Sequence, residues 1–231
     1  TLGVQHDPVH PTGSVQVSLE DGEPSYEIVP DRAYDHIDAA SLPPLPEQAL
    51  LYHGSLALRH KDSADALRVL RGRWDPAVFL DVNLRDPWWQ KDQLTELLEA
   101  ATWVKLNANE LKLLAPDGDD AKTRARHLRE RYGLEVVFAT LGAEGALVLA
   151  ADGDLRQVAP ASDVRVVDAV GAGDGFASVL ILGLIRRWPL QQTLDRAQSF
   201  ASAIVGRRGA TVRDPAFYHP FLADWGLADG P

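Results

Sequence analysis

The sequence predicts an α/β fold in which a mixed, mainly parallel sheet is covered by helices on both faces. Apolar strand-like runs alternate with segments of helical period through most of the chain, which is the signature of βα units. Two short strands come together late, as a meander appended to the parallel part. With 231 residues, 45% of them hydrophobic and 24% charged, one large domain is expected, able to bury most of its surface without a disulfide or metal staple.

The elements follow in order. Val15, Val17 and Leu19 alternate with polar residues, Asp21-Gly22 offers turn chemistry, and Tyr26 and Ile28 resume the alternation, so residues 12–29 predict a two-stranded hairpin with one wet face. A proline-rich connector at 42–46 leads to a short strand at 49–53 that stops at Gly54-Ser55. Ala64, Leu67 and Leu70 have helical spacing over 63–71, with Ser63 as the expected cap. A buried strand at 77–80 precedes a helix at 92–101 carrying Leu94, Leu97, Leu98 and Ala101, and a strand at 102–106 comes next. A charged helix at 120–132 leads to a strand at 135–140 and to the short strands 146–150 and 155–159, joined by Asp152-Gly153. A strand at 163–167, a glycine-rich loop and two long helices, 172–187 and 190–205, complete the pattern.

Charge and composition exclude several functions. A formal net charge of −10 with scattered arginines argues against nucleic acid and anionic lipid as partners. The longest uncharged apolar run, 175–185, is about half the ~20 residues a membrane span needs. Zero cysteines rule out disulfides and thiolate chemistry. TLGVQHDPVHPTG has neither the basic nor the apolar region of a secretion signal. Because it opens inside a polar, proline-containing loop, the native chain is expected to extend upstream of Thr1.

In open α/β sheets ligands bind beyond the carboxyl ends of the strands, and four such junctions carry candidates. In FLDVNLRDPWW, Asp81, Asn83 and Arg85 are two apart and share a strand face. They form either a solvated strand end or a polar row in which Arg85 can meet a phosphate. In WVKLNANELKLL, Asn107 and Glu110 have capping-box spacing. The same oxygens could hold a hydrated Mg²⁺, and the two readings are compatible. In ATLGAEGALVL, Gly142 and Gly145 make either a turn or an open floor for a flat nucleotide.

The fourth junction is VVDAVGAGDGFASVLILGLI, a strand, then Gly171-Ala172-Gly173, then a helix. First-turn N–H groups have no helical partner and the dipole favours an anion there. The loop has neither the lysine and hydroxyl of a P-loop nor G-x-G-x-x-G spacing. Asp174 as a plain first-turn acid would contribute roughly 0.3–1 kcal/mol. Glycines at 171, 173 and 175 cost a helix about 1 kcal/mol each relative to alanine, so close approach of the backbone to a ligand is the better account. His6 and His10 are four apart, but Pro8 and Pro11 disfavour a shared helical face and no metal pair is read there. The other histidines form no pattern, and no nucleophile elbow occurs.

With these junctions in this order, the chain resembles the ribokinase-like carbohydrate kinases, also called the phosphofructokinase-B family. DAVGAGD, Asp168 to Asp174, is similar to that family's D-T-x-G-A-G-D signature. The likeness extends to N-x-x-E at Asn107 to Glu110, to TLGAEGA at Thr140 to Ala146 and to RRGAT at Arg207 to Thr211, and spans residues 12–222. The D-x-N-x-R and N-x-x-E stretches look like those of bacterial fructokinases.

The resemblance implies a three-layer α-β-α fold with the hairpin at 12–29 as a small β lid, within a single kinase domain over 1–231 that lacks its N-terminal portion. It implies an ATP-dependent sugar kinase, with fructose as first-choice acceptor. Asp174 would be the general base, and the N–H groups of Gly171, Ala172 and Gly173 the anion hole. Asn107 and Glu110 would serve the Mg²⁺–phosphate region, Thr140, Gly142 and Gly145, with Asn107, the nucleotide, and Arg85 a phosphate. Asp168 would lie near a K⁺ site. A cytoplasmic homodimer joined through the lid is also implied. Other acceptors (ribose, 2-keto-3-deoxygluconate, a nucleoside) and a non-catalytic nucleotide- or sugar-binding role remain alternatives. Two departures stand out: Ala169 replaces the signature threonine, and the family's glycine-rich first signature and early sugar-holding aspartate are not among these residues.

Overall fold

The computed structural model describes residues 3–20, 23–44, 46, 49–160 and 166–227, with backbone alone at 17–20 and 23–26. Two compact units divide the chain, Thr1–Val104 and Lys105–Pro231. Six strands form a mixed sheet in strictly sequential order, flanked by helices, and the unit boundary runs through its third strand.

In the first unit the predicted hairpin forms as β1 (Val15–Glu20) and β2 (Glu23–Ile28), antiparallel with Val15 opposite Ile28. The Asp21-Gly22 turn lies outside the described residues. β3 (Leu50–Gly54) runs parallel to β4 (Ala77–Asp81), with Leu51 opposite Val78. Parallel strands need a crossover, and α1 (Lys61–Trp74) provides it. The α1 cap differs from expectation. His60 takes the N-cap and accepts the Asp62 N–H at 3.4 Å. Ser63 sits inside the helix, donating to Tyr34 C=O at 2.7 Å and accepting the Ile37 N–H at 3.1 Å. α2 (Lys91–Glu99) buries Leu94, Leu97 and Leu98, while β4 buries Val78, Phe79 and Leu80. Each such side chain contributes about 1.5–3 kcal/mol on burial.

The second unit continues the sheet. β5 (Trp103–Asn107) carries the boundary and leads into α3 (Ala108–Leu114). α4 (Ala121–Tyr132) starts at Asp120, whose carboxylate accepts the Thr123 N–H at 2.7 Å. β6 (Val136–Thr140), β7 (Ala146–Ala150) and β8 (Leu155–Val158) form the predicted antiparallel meander. α5 (Ala172–Arg186), α6 (Leu190–Val205) and the short α7 (His219–Asp224) follow. Phe176, Val179 and Leu180 of α5 are buried, as are Leu194, Ala197 and Ile204 of α6. Of the strand expected at 163–167, residues 163–165 lie outside the described residues. Val166 and Val167 are exposed and irregular, and the N–H groups of Val167 and Asp168 both donate to Val205 C=O, at 2.9 and 3.2 Å. Among the described residues no helix is long and apolar enough to cross a membrane.

The first unit contains one fully sequestered ion pair. Arg59 grips Asp35 with two parallel bonds, Nε to Oδ1 at 2.9 Å and Nη2 to Oδ2 at 2.8 Å. The two side chains are 6% and 1% exposed. Nη2 also donates to Val29 C=O and the Tyr34 hydroxyl, both at 3.0 Å, and the guanidinium lies 4.7 Å from the Trp88 ring centroid. Burial pushes the Asp35 carboxyl up, but the Arg59 guanidinium and the Arg32 N–H outweigh it and hold the group below its ordinary range. Removing one partner of such a pair strands a buried charge and costs about 3–5 kcal/mol, whereas apolar replacement of both is often nearly neutral. Arg59→Ala is therefore expected to lower the urea midpoint sharply. The double variant Arg59→Met/Asp35→Leu should recover most of that loss, as followed by tryptophan fluorescence.

Candidate active site

Most of the predicted site residues belong to the second unit, and the start of α5 organises them. Gly171 is the N-cap in a left-handed conformation, φ 83°. A Cβ there would stand 2.5 Å from Ala210 Cα, so only glycine permits this contact. Gly175 fits against Ile204 and Phe200 of α6, where a Cβ would lie 3.4 and 3.5 Å away. Gly171 thus has a packing reason, which replaces part of the ligand-approach argument from the sequence, whereas a Cβ at Gly175 would be in ordinary van der Waals contact. Gly173 is different: it is exposed, and a Cβ there would stand 3.3 Å from Lys105 Nζ.

Lys105 is the residue the sequence reasoning missed. It lies in β5 two positions before Asn107, on the same strand face, and is only 7% exposed. A lysine in the middle of the apolar run WVKLN was the available signal, since lysine is almost never this buried without a purpose or partner.

Asp174 is exposed in the first turn of α5. Helix geometry leaves the amides of this turn without a helical acceptor. The Ala172 N–H makes one long bond, 3.3 Å, to Ala169 C=O, and the first regular helical bond is Gly175 N–H to Gly171 C=O at 2.8 Å. Asp168 fastens the loop from below. Its Oδ1 accepts the Val170 N–H at 3.0 Å and its Oδ2 the Gly209 N–H at 2.9 Å. Those two N–H groups hold its carboxyl below the usual range.

Asn107 and Glu110 form the capping box that their spacing predicted. Asn107 Oδ1 accepts the N–H groups of Asn109 and Glu110, each at 3.0 Å, and Glu110 Oε2 accepts the Asn107 N–H at 2.8 Å. Glu110 is buried and Asn107 exposed. Thr140 ends β6, half-buried. A tight turn follows, closed by Leu141 N–H to Gly145 C=O at 2.7 Å. At Gly145, φ is 87° and a Cβ would lie 1.9 Å from Val158 C=O, while Gly142 meets nothing within 4 Å. The turn reading therefore accounts fully for Gly145, whereas the surface around Gly142 stays open.

Arg85 belongs to the first unit and is exposed, its guanidinium donating to Leu84 C=O at 2.9 Å. The shared strand face expected for Asp81, Asn83 and Arg85 is not formed. β4 ends at Asp81, which is buried, and Asn83 adopts φ 39°, which breaks the two-residue alternation.

A glycine-capped helix start with an exposed carboxylate, a buried ammonium beneath its loop and a mixed six-stranded sheet define an α/β protein of ribokinase-like type. The pfkB family carbohydrate kinase description matches residues 1–216, and the chain belongs to that family. It is 31% identical over 224 residues to aminoimidazole riboside kinase of Salmonella typhimurium, covering 90% of this chain and 69% of that protein. To the fructokinase of Escherichia coli it is 28% identical over 229 residues, covering 92% and 73%. A double-mutant fructokinase of Vibrio cholerae, solved with fructose, ADP and potassium ion, has the same fold at 23% identity with a TM-score of 0.73, covering 92% of this chain and 73% of that one.

The two glycines of the 142–145 turn should separate cleanly. Gly145→Ala forces a backbone collision and is expected to destabilise by about 2 kcal/mol or more. Gly142→Ala, at φ 61°, should cost about 1–2 kcal/mol and weaken nucleotide binding in addition. Thermal melts alongside titration with a fluorescent ATP analogue measure both effects.

Proposed function

We propose that this chain carries the phosphoryl-transfer machinery of an ATP-dependent sugar kinase. The observation that carries the reading is the head of α5, where the first-turn amides and the exposed Asp174 carboxylate belong to the loop whose Gly173 lies over Lys105 Nζ. Phosphoryl transfer demands positioning and charge stabilisation rather than covalent chemistry. The amides of Gly171–Gly173 and the ammonium of Lys105 face the charge that develops on the transferred group. Asp174 takes the proton from the attacking hydroxyl, at a carboxylate oxygen left exposed for the purpose.

The remaining roles follow from position. Thr140, Gly142, Gly145 and Asn107 line the nucleotide, and Arg85 contacts a phosphate. The oxygen donors of Asn107 and Glu110 suit magnesium, which keeps most of its waters. Because the capping box already occupies Asn107 Oδ1 and Glu110 Oε2, the pair would hold the ion through water. Bound there with ATP, Mg²⁺ neutralises phosphate charge. Asp168 has lone pairs beyond its two N–H bonds and would hold K⁺ beside the loop; the potassium ion of the Vibrio cholerae fructokinase supports this. The hairpin β1–β2 serves as the lid and as the surface of a homodimer, in a cytoplasmic enzyme.

Fructose is the proposed acceptor, supported by the fructokinase relative and by the D-x-N-x-R and N-x-x-E stretches. A riboside is the second reading, favoured by the 31% identity to aminoimidazole riboside kinase. ADP release measured over a panel of fructose, ribose, 2-keto-3-deoxygluconate and ribosides distinguishes the two. No release with any of them would favour a nucleotide-binding role instead. Asp174→Asn is expected to lower kcat about 10²–10⁴-fold with the ATP Kd nearly unchanged. Lys105→Met should lower kcat about 10²–10³-fold and weaken ATP binding as well. Near-normal turnover in the Asp174 variant would remove this carboxylate from the mechanism.

A further inference from the structure

The histidines that form no pattern in the sequence are gathered by the fold. In the first unit the His10 and His36 rings stack with centroids 3.6 Å apart and planes within 9°, and His60 packs on His36 at 4.2 Å. Asp31 stands at their edge. Its Oδ1 is 2.7 Å from His36 Nε2 and 3.7 Å from His10 Nε2. The far nitrogens of the same two rings are each held by another carboxylate, His10 Nδ1 by Asp7 Oδ2 at 2.8 Å and His36 Nδ1 by Asp62 Oδ2 at 3.0 Å.

We propose that His10, Asp31 and His36 form a divalent-cation site at the base of the hairpin, with Zn²⁺ the ion that the donor set fits. Two imidazole nitrogens and one carboxylate oxygen are ligands zinc accepts, at about 2.0–2.2 Å, with a further position left to water. A carboxylate behind each imidazole fixes the tautomer that presents Nε2 to a metal and raises the basicity of that nitrogen. Both histidines have this support here. His60 falls instead in a second grouping, with His36 and Asp62, and its Nδ1 already accepts the Asp62 N–H as the cap of α1. Binding would draw the two Nε2 atoms around one ion and splay the stacked rings. Asp31, with its side chain 73% exposed, can swing to complete the shell. Three carboxylates, Asp7, Asp31 and Asp62, give the cluster a strongly negative field that attracts a cation.

The placement gives the site a consequence. His10 precedes β1, while Asp31 and His36 follow β2. One ion would therefore clip together the two legs of the hairpin at its root and restrict how it moves, with no part in the chemistry at α5.

The test uses the tag-free chain, since a polyhistidine tail would bind the same ions. Isothermal titration with Zn²⁺ is expected to show one ion per chain. Saturating Zn²⁺ should raise the Tm by several degrees, by preferential binding to the folded state. Chelation should reverse the shift, and Mg²⁺ should not reproduce it. His10→Ala and Asp31→Asn, both at accessible positions, should each weaken binding at least 10-fold while leaving the circular dichroism of the metal-free chain unchanged, and His6→Ala should bind like the parent. Co²⁺ substitution, read by its visible ligand-field bands, provides a second signature that a loss of folding could not mimic. Absent stoichiometric uptake, or uptake undiminished in the His10→Ala/Asp31→Asn double variant, overturns the proposal. So does a Tm loss in His10→Ala that is identical with and without Zn²⁺, which would mean that histidine–aspartate pairing alone accounts for the cluster.

Discussion

The contact between Gly171 and Ala210 is the constraint from which the candidate site follows. It brings two loops together so closely that no side chain fits between them, and it forces the chain into a left-handed residue immediately before α5. A helix entered this way begins abruptly, with its first amides uncovered. Asp168 secures the geometry from the other side by accepting one N–H from each of the two loops, Val170 and Gly209. The anion-binding role proposed for the loop would thus be a by-product of how α5 is started. The position of Asp174 in the first turn depends on a packing contact made by a residue three positions earlier.

The first unit shows a different solution to holding loops in place. Residues 29–37 lie outside the sheet and the long helices, and polar groups, two of them from the start of α1, hold them in place. Arg59 gathers Val29, Tyr34 and Asp35, and Ser63 fixes Tyr34 and Ile37. His36 is drawn between Asp31 and Asp62. A buried pair of this kind contributes little net stability compared with an apolar replacement, but it allows only one arrangement of its partners. This arrangement sets the exit of the hairpin relative to α1, and it explains why the histidines meet at all.

The sequence was most legible where forces are local. Helical and alternating periods located β1 to β8, α5 and α6 within a residue or two, and the capping box at Asn107 and Glu110 formed as its spacing required. The failures all involve distant partners. Ser63 reads as a cap, yet its hydroxyl is claimed by Tyr34 and Ile37, so the helix starts earlier at His60. Asp81, Asn83 and Arg85 read as one face, but a single positive φ at Asn83 ends the strand pattern. Gly171 reads as room for a ligand, while the chain uses it for a backbone contact with a segment over thirty residues away; of the two readings of Gly145, turn or open floor, the turn is the one formed. The histidine cluster was invisible because its members are spread from 10 to 60 and meet only through the fold.

Gly173 is where the local and distant arguments converge. Gly171 is spent on packing, whereas a Cβ at Gly173 would meet Lys105 Nζ at 3.3 Å. An ammonium so nearly excluded from water interacts with a nearby anion far more strongly than a surface lysine would, because the effective dielectric falls with burial. A side chain at 173 would fill the gap through which that charge is felt. Asp174, one residue on, is exposed. The basic group thus comes from β5, buried beneath the loop, and the acidic one from α5, exposed. In the proposed function, the first would meet a phosphoryl group and the second an attacking hydroxyl.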